Sequence, residues 1–225
     1  MKLKSQLKSV FVQPLSCMTL SIITAIGISS SVLAVTGISV HSPEQSVERQ
    51  PQKLAQLSNT DTPERSQLLQ QANALYNQGD LTGAEDNLRK FIKKSPEDPF
   101  AHFQLGNVLF RQNKSEEAIS SYREAIRLQP KYGIAYNAIG MVYASQSRWE
   151  EAITEYQKAL EINPNYGEAL TNFALALWQT NKRDEALSSL EKALNIFKAQ
   201  NRGEKVKQVE RILREIKTGD QPSLS

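Results

Sequence analysis

Two consecutive stretches of equal length decide the fold. Residues 99–132 read PFAHFQLGNVLFRQNKSEEAISSYREAIRLQPKY, and residues 133–166 read GIAYNAIGMVYASQSRWEEAITEYQKALEINPNY. When one stretch is written beneath the other, the matching columns include Gly106 with Gly140, Tyr122 with Tyr156, and Pro130 with Pro164. Agreement at a fixed period of this length is the sequence signature of a stacked repeat.

The same period extends in both directions, from residue 65 to residue 200. Pro96 precedes Pro130 by 34 residues, which is also the spacing from Pro130 to Pro164. Columns of small residues keep this spacing: Ala72, Gly106, Gly140 and Ala174, and then Ala84, Ala118, Ala152 and Ala186. Within a unit the apolar residues fall three and four positions apart, which predicts amphipathic helices. Each closing proline is expected to end the second helix of its unit.

At these columns the chain resembles the tetratricopeptide-repeat (TPR) family. The resemblance implies an all-α fold, a TPR α-solenoid of four 34-residue helix-turn-helix repeats, each made of a helix A and an antiparallel helix B. The predicted repeats are residues 65–98, 99–132, 133–166 and 167–200. Phe91 replaces a small residue in the first repeat, which suits an end repeat without a preceding neighbour.

The turns between paired helices also follow the period. Gly79, Asn113 and Asn181 occupy this slot in three repeats, and both residue types suit the left-handed conformation that ends a helix. Ser147 takes the slot in the third repeat. It opens the sequence Ser-Arg-Trp-Glu, which predicts a capping box at the start of the next helix.

A further amphipathic segment follows the last repeat. Residues 201–218 are predicted to form a C-terminal capping helix, because apolar residues share one face. They are Val206, Val209, Ile212, Leu213 and Ile216. This helix would cover the open end of the stack, and residues 219–225 would form a disordered tail.

The N-terminus, residues 1–40, is predicted to be a signal peptide or a signal anchor. Lys2, Lys4 and Lys8 precede an uncharged run from Phe11 to Val40, and a basic start before an apolar segment is typical of export. Cleavage and retention both stay open, and a retained segment would hold the chain in a membrane. Residues 41–64 have little periodic apolar content and are predicted to be a flexible polar linker. The repeats would then lie outside the cytoplasm, in a periplasm or lumen or secreted.

Composition and charge exclude several function classes. The formal net charge of +3 comes entirely from Lys2, Lys4 and Lys8, so the remainder is neutral and nucleic acid is not an expected partner. The two histidines, His41 and His102, are far apart in the sequence, and we expect no metal site. No phosphate-binding loop or nucleophile motif is present, so we predict no cofactor and no enzymatic activity.

By the resemblance, a protein or peptide partner would bind a concave groove formed by residues of helix A that point away from helix B. The columns concerned hold Asn73, Tyr76, Phe100, Phe103, Asn107, Phe110, Asn137, Met141, Asn172, Leu175 and Trp178. Asparagine can both donate and accept, so several of them can bind a peptide backbone of any sequence. The aromatic rings would supply apolar pockets, or would alternatively pack between neighbouring A helices.

One known binding mode of the family is disfavoured. Repeats that bind a C-terminal carboxylate use lysine and arginine at columns that hold Leu69 and Ile134 in this chain. Only Asn73 is retained from that pattern.

The leading hypothesis is a non-catalytic scaffold for protein–protein interaction. A regulatory or accessory subunit of a single enzyme complex is the first alternative, and a self-associating structural protein is the second. The sequence leaves the oligomeric state open.

Overall fold

The computed structural model describes residues 63–219, and the predicted signal or anchor segment and most of the predicted linker lie outside them. Helices connected by short turns make up nearly all of this range. They are α1 (Pro63–Gln78), α2 (Leu81–Lys94), α3 (Pro99–Arg111), α4 (Ser115–Leu128), α5 (Gly133–Ser145), α6 (Trp149–Ile162), α7 (Gly167–Gln179), α8 (Arg183–Ala199) and α9 (Gly203–Thr218). The odd-numbered helices from α1 to α7 are the A helices, and the even-numbered helices from α2 to α8 are the B helices. The predicted all-α solenoid of four helix pairs and a capping helix is therefore confirmed.

The first helix begins earlier than predicted. Helix α1 starts at Pro63, so the last two residues of the predicted linker are helical. Proline is favoured at the first helical position because its fixed φ suits the helix and its missing N–H would have no partner there. Glu64, in the same turn, places a negative charge near the positive end of the helix dipole.

The turns within the repeats adopt the left-handed conformation that the sequence predicts. The φ angles are 87° at Gly79, 62° at Asn113, 59° at Ser147 and 63° at Asn181. The predicted capping box at Ser147 is wrong, since the residue that caps α6 is Arg148 and it makes no side-chain cap. Because Ser147 is used to end α5, its hydroxyl is not placed to cap the next helix.

Aspartate caps two of the helices instead. The Oδ1 atom of Asp80 accepts from the N–H of Gly83 at 2.9 Å, and that of Asp98 accepts from the N–H of Ala101 at 3.1 Å. Such a cap satisfies one of the N–H groups that the first helical turn leaves unpaired. Asp98 therefore fixes the start of α3, the helix that carries Phe100.

Close packing between a glycine and a tyrosine holds the two helices of a repeat together. A Cβ atom added at Gly106 would lie 2.5 Å from the ring of Tyr122, and one added at Gly140 would lie 2.5 Å from the ring of Tyr156. Both tyrosine rings are fully buried. Helix A can approach helix B this closely only because the glycine has no side chain.

The two ends of the stack are closed differently. At the N-terminal end the guanidinium of Arg65 lies 5.4 Å from the ring centre of the buried Phe91. At the C-terminal end α9 packs on α8 and buries Val209, Ile212, Leu213 and Ile216. The guanidinium of Arg183 donates to the carbonyls of Ile216 and Lys217 at 2.7 and 2.8 Å, which fixes the end of α9.

A capping role of α9 follows from this packing, because its apolar face is buried whereas Glu204, Lys207, Arg214 and Lys217 are exposed. None of the helices within residues 63–219 combines the length and the apolar composition that a membrane span requires.

Replacing Gly140 by alanine is expected to destabilise the fold. The added methyl group would force the Tyr156 ring to move, at a cost of roughly 1–3 kcal/mol in the free energy of unfolding. Gly203→Ala is the matched control, because nothing lies within 4 Å of a Cβ atom at that helical position. Urea denaturation followed by circular dichroism should show Gly140→Ala unfolding at lower urea than the wild type, and Gly203→Ala at the same or higher urea. Equal stability of the two variants would contradict the packing argument.

Candidate partner-binding groove

The A helices α3, α5 and α7 form one continuous layer. Helix α3 packs against α5 and α5 packs against α7, in addition to the contact of each with its own B helix. All eleven residues predicted to line the groove lie on α1, α3, α5 and α7. Their exposure differs: Asn73 and Phe100 are exposed, and Tyr76, Asn107, Phe110, Met141, Asn172 and Trp178 are half-buried. The other three, Phe103, Asn137 and Leu175, are buried.

The structure corrects the predicted role of Phe103. Its side chain is only 8% exposed, and its ring centre lies 5.6 Å from that of Tyr122 and 5.5 Å from that of Tyr132. Tyr122 belongs to the B helix of the same repeat, so Phe103 points into the core. Leu175 is buried in the same core cluster and likewise offers no open apolar pocket. Both side chains therefore pack within the protein.

The exposed apolar surface is concentrated at two equivalent positions. Within residues 63–219 the exposed large hydrophobic side chains are Phe100 and Ile134, at 43% and 37%. Each is the second residue of its A helix, and the two helices, α3 and α5, contact each other. Ile134 was not among the predicted groove residues, although its spacing of 34 from Phe100 in the sequence would have identified it.

Hydrogen-bonded amides run across the first two A helices. Tyr122 donates its hydroxyl to Asn107 Oδ1 at 2.8 Å, Asn107 Nδ2 donates to Gln104 Oε1 at 2.9 Å, and Gln104 Nε2 donates to Asn73 Oδ1 at 3.0 Å. We call Asn73, Gln104 and Asn107 the amide ladder. It connects α1 with α3 and is fixed to the core through Tyr122. Sequence reasoning missed Gln104, although its place one helical turn before Asn107 was a usable signal.

The last two repeats carry a different arrangement. Asn172 Nδ2 donates to Asn137 Oδ1 at 3.1 Å, and Asn137 Nδ2 faces the sulfur of Met141 at 3.6 Å. Tyr156 is the counterpart of Tyr122, but its hydroxyl has no hydrogen-bonding partner within the described residues. Burial raises the pKa of both tyrosines well above the ordinary value, so both hydroxyls stay protonated and each has a proton to donate.

Arginines pack on the aromatic residues at the far ends of the A helices. The guanidinium of Arg111 lies 4.4 Å from the ring centre of Tyr76 and donates to its carbonyl at 2.9 Å. Arg183 lies 5.9 Å from the ring centre of Trp178. Both rings are thus partly occupied by contacts within the protein, which fix their orientation.

A separate cleft of about 430 Å³ lies on the side of the B helices. Its lining includes Arg89 and Lys93 of α2, His102 of α3 and Glu124 of α4. The Nε2 atom of His102 lies 2.9 Å from the carbonyl oxygen of Pro96, so the ring is engaged with the backbone. In the part of the chain that the structure describes, no cluster of histidine, cysteine and carboxylate side chains has the composition of a metal site.

The two buried tyrosines give a matched test of the hydrogen bonding. Tyr122→Phe removes the donor to Asn107 and should lower the free energy of unfolding by about 1 kcal/mol. Tyr156→Phe removes a buried hydroxyl that has no partner, so stability should stay unchanged or rise. Urea denaturation of both variants measures the difference. If Tyr156→Phe were the more damaging change, the assigned network would be wrong.

Comparison with known proteins agrees with this architecture. Two family models, each described as "Tetratricopeptide repeat", match residues 69–132 and residues 132–199. No curated protein matches this chain.

Among solved structures, the chain is similar to "Crystal structure of MamA" at 26% identity, over 67% of this chain and 86% of that one, with a TM-score of 0.56. It is also similar to "First TPR of Spaghetti (RPAP3) bound to HSP90 peptide SRMEEVD" at 26% identity, over 54% of this chain and 96% of that one, with a TM-score of 0.50. A third structure, "MamA 41-end from Desulfovibrio magneticus RS-1", is 21% identical over 66% of this chain and 82% of that one, with a TM-score of 0.54, and supports the fold alone. The family models together cover more than half of the sequence, and the chain belongs to the tetratricopeptide-repeat family, whose repeats serve in protein interaction.

Proposed function

We propose that this protein is a non-catalytic scaffold that holds a partner protein by an uncharged segment in the groove of its A helices. The observation that carries the proposal is the exposure of Phe100 and Ile134 on adjacent A helices. Ile134 stands at a column where carboxylate-binding repeats of the family have a basic residue, and Leu69 stands at another. An exposed apolar pair in place of cations favours apolar side chains as ligands.

Binding can gain energy from the exposed part of this pair. Full burial of a phenylalanine or isoleucine side chain contributes about 1.5–3 kcal/mol, and a partner would gain the share of it that belongs to the exposed 43% of Phe100 and 37% of Ile134. The amide ladder beside them supplies donors and acceptors that are already oriented. A groove of this composition can bind a peptide backbone together with apolar side chains.

The similar RPAP3 repeat domain sets a useful contrast. Its peptide, SRMEEVD, carries two glutamates and an aspartate. This chain lacks the basic residues at the columns of Leu69 and Ile134, so a carboxylate placed there would lose its hydration without gaining a cation. We therefore expect an uncharged partner segment rather than an acidic tail.

The proposal also places the repeats on the extracytoplasmic side of a membrane. Support comes from the sequence alone, through Lys2, Lys4 and Lys8 before the uncharged run from Phe11 to Val40. The scaffold would then retain or assemble partners in a periplasm or lumen, or after secretion.

Charge placed at the exposed apolar pair is expected to abolish partner capture. The double variant Phe100→Glu/Ile134→Glu adds two carboxylates to the groove, whereas Ser120→Glu/Gln157→Glu adds two at exposed positions of the B helices. With the full chain as bait and partners identified by mass spectrometry, a partner captured by the wild type should be kept by the B-helix variant and lost by the groove variant. Loss should occur with unchanged helical content by circular dichroism.

The same experiment separates the alternatives. A partner kept by both variants would contradict groove binding. Capture of the chain itself, growing with concentration, would favour self-association. A single enzyme captured at equal stoichiometry, with an altered rate, would favour an accessory subunit.

A C-terminal reporter that is active only outside the cytoplasm tests the location. We expect activity from the full chain and none when residues 1–40 are removed. Activity that did not depend on residues 1–40, or no activity from either, would contradict the proposed export.

A further inference from the structure

The third repeat breaks the hydrogen-bonding pattern of the second. In the second repeat, the buried Tyr122 donates to Asn107. The column of Asn107 holds Met141 in the third repeat, while the tyrosine column is retained as Tyr156. A thioether is a weak acceptor, and the Tyr156 hydroxyl has no partner among the described residues.

A second buried donor faces the same methionine. Asn137 is 5% exposed and its Oδ1 is already engaged by Asn172. Its Nδ2 donates to the Met141 sulfur at 3.6 Å, and a thioether is a weak acceptor. Tyr156 packs against Gly140, the residue directly before Met141. By the repeat pattern, the Tyr156 hydroxyl extends toward Met141 as that of Tyr122 extends toward Asn107, so this half-buried, unbranched side chain stands where both donors would meet an oxygen acceptor.

The Tyr156 hydroxyl without a partner and the Asn137 amide bonded to sulfur both reduce the stability of the fold. One oxygen acceptor in this position would satisfy both donors. Buried polar groups are almost always hydrogen-bonded, and an unpaired donor loses its hydration without compensation. Methionine has flexible rotamers and adapts its packing readily. An acceptor that displaced the thioether would gain bonds from Asn137 and Tyr156 together.

We propose that the partner segment places a neutral carbonyl oxygen, from its backbone or from an asparagine or glutamine side chain, in the position of the Met141 thioether. This inference rests on the proposed function and names the chemistry that the groove selects. Both donors are uncharged, and the flanking A-helix residues Ala138 and Asn172 are uncharged as well. A carboxylate would therefore be buried without a cation, which disfavours acidic ligands at this point.

Peptides selected from a random library displayed on phage provide the probe, with the full chain in mild detergent as target. The tightest binders are synthesised, and their Kd is measured by isothermal titration calorimetry. Met141→Asn supplies an acceptor from within the protein, as Asn107 does for Tyr122, and should weaken binding roughly tenfold while raising Tm. Tyr156→Phe removes one donor and should weaken binding several-fold with no fall in Tm.

Val209→Ala is the control for a loss of stability alone, because Val209 is buried where the capping helix α9 packs on α8 and is not a groove residue. It should lower Tm and leave the Kd within about twofold of the wild type, the scatter expected of a change worth well under 1 kcal/mol in binding. The groove variant Phe100→Glu/Ile134→Glu serves as the positive control for loss of binding.

The outcomes separate the inference from the proposed function. If Met141→Asn and Tyr156→Phe bind as tightly as the wild type while the groove variant does not bind, the groove stands and the inference is wrong. Selected peptides with an acidic consensus would also overturn it. If the groove variant binds normally, or the library yields no binder, the proposed function fails together with the inference.

Discussion

The contact on which the rest of the structure depends is the tyrosine ring of helix B lying against the glycine of helix A. Because Gly106 and Gly140 have no Cβ, the rings of Tyr122 and Tyr156 reach past the backbone of the A helix. The ring stabilises the helix pair by burial. In the second repeat the hydroxyl of this ring donates to Asn107, a groove residue of helix A. The residue that packs the repeat therefore also takes part in the hydrogen bonding of the groove.

Stacking then determines what each repeat must contain. A single helix pair cannot bury its apolar face alone, so each repeat depends on its neighbours. The first repeat has no preceding partner, and a buried Phe91 fills space where later repeats have alanine. The last repeat has α9, which buries one face and presents charge on the other. The residues free to vary are those on the A helices that no neighbour covers.

The sequence predicted well those features that are repeated along the chain. The period placed the helix pairs, and glycine and asparagine identified three of the left-handed turns correctly. The capping box failed because Ser147 meets two patterns, and only one can be satisfied by a residue with positive φ. Turns and helix caps depend on residues that are close in the sequence, so both competing patterns at Ser147 were visible in the sequence itself.

The groove was harder to predict because it depends on contacts between repeats. Phe103 shares a helix with Phe100, yet Tyr132, the residue that caps the A helix of the next repeat, covers it, and a column of residue types does not show this. The amide ladder needed the distance between Gln104 and Asn73, which lie 31 residues apart. The unpaired hydroxyl of Tyr156 followed only from comparing two repeats in three dimensions. Positions that depart from the repeat pattern, such as Met141, are those where packing constrains the residue type least. At such positions function can determine the residue.

The exposed apolar residue Ile134 and the proposed carbonyl-binding position at Met141 also constrain the length of a partner segment. Ile134 and Met141 lie seven positions apart on α5, or about 10 Å along the helix at 1.5 Å per residue. An extended chain advances about 3.3 Å per residue, so about three residues separate an apolar side chain at Ile134 from a carbonyl oxygen at Met141. A helical segment would need about seven residues for the same distance. An extended segment therefore meets both features within a short, uncharged stretch and leaves its remaining backbone groups available to the neighbouring asparagines.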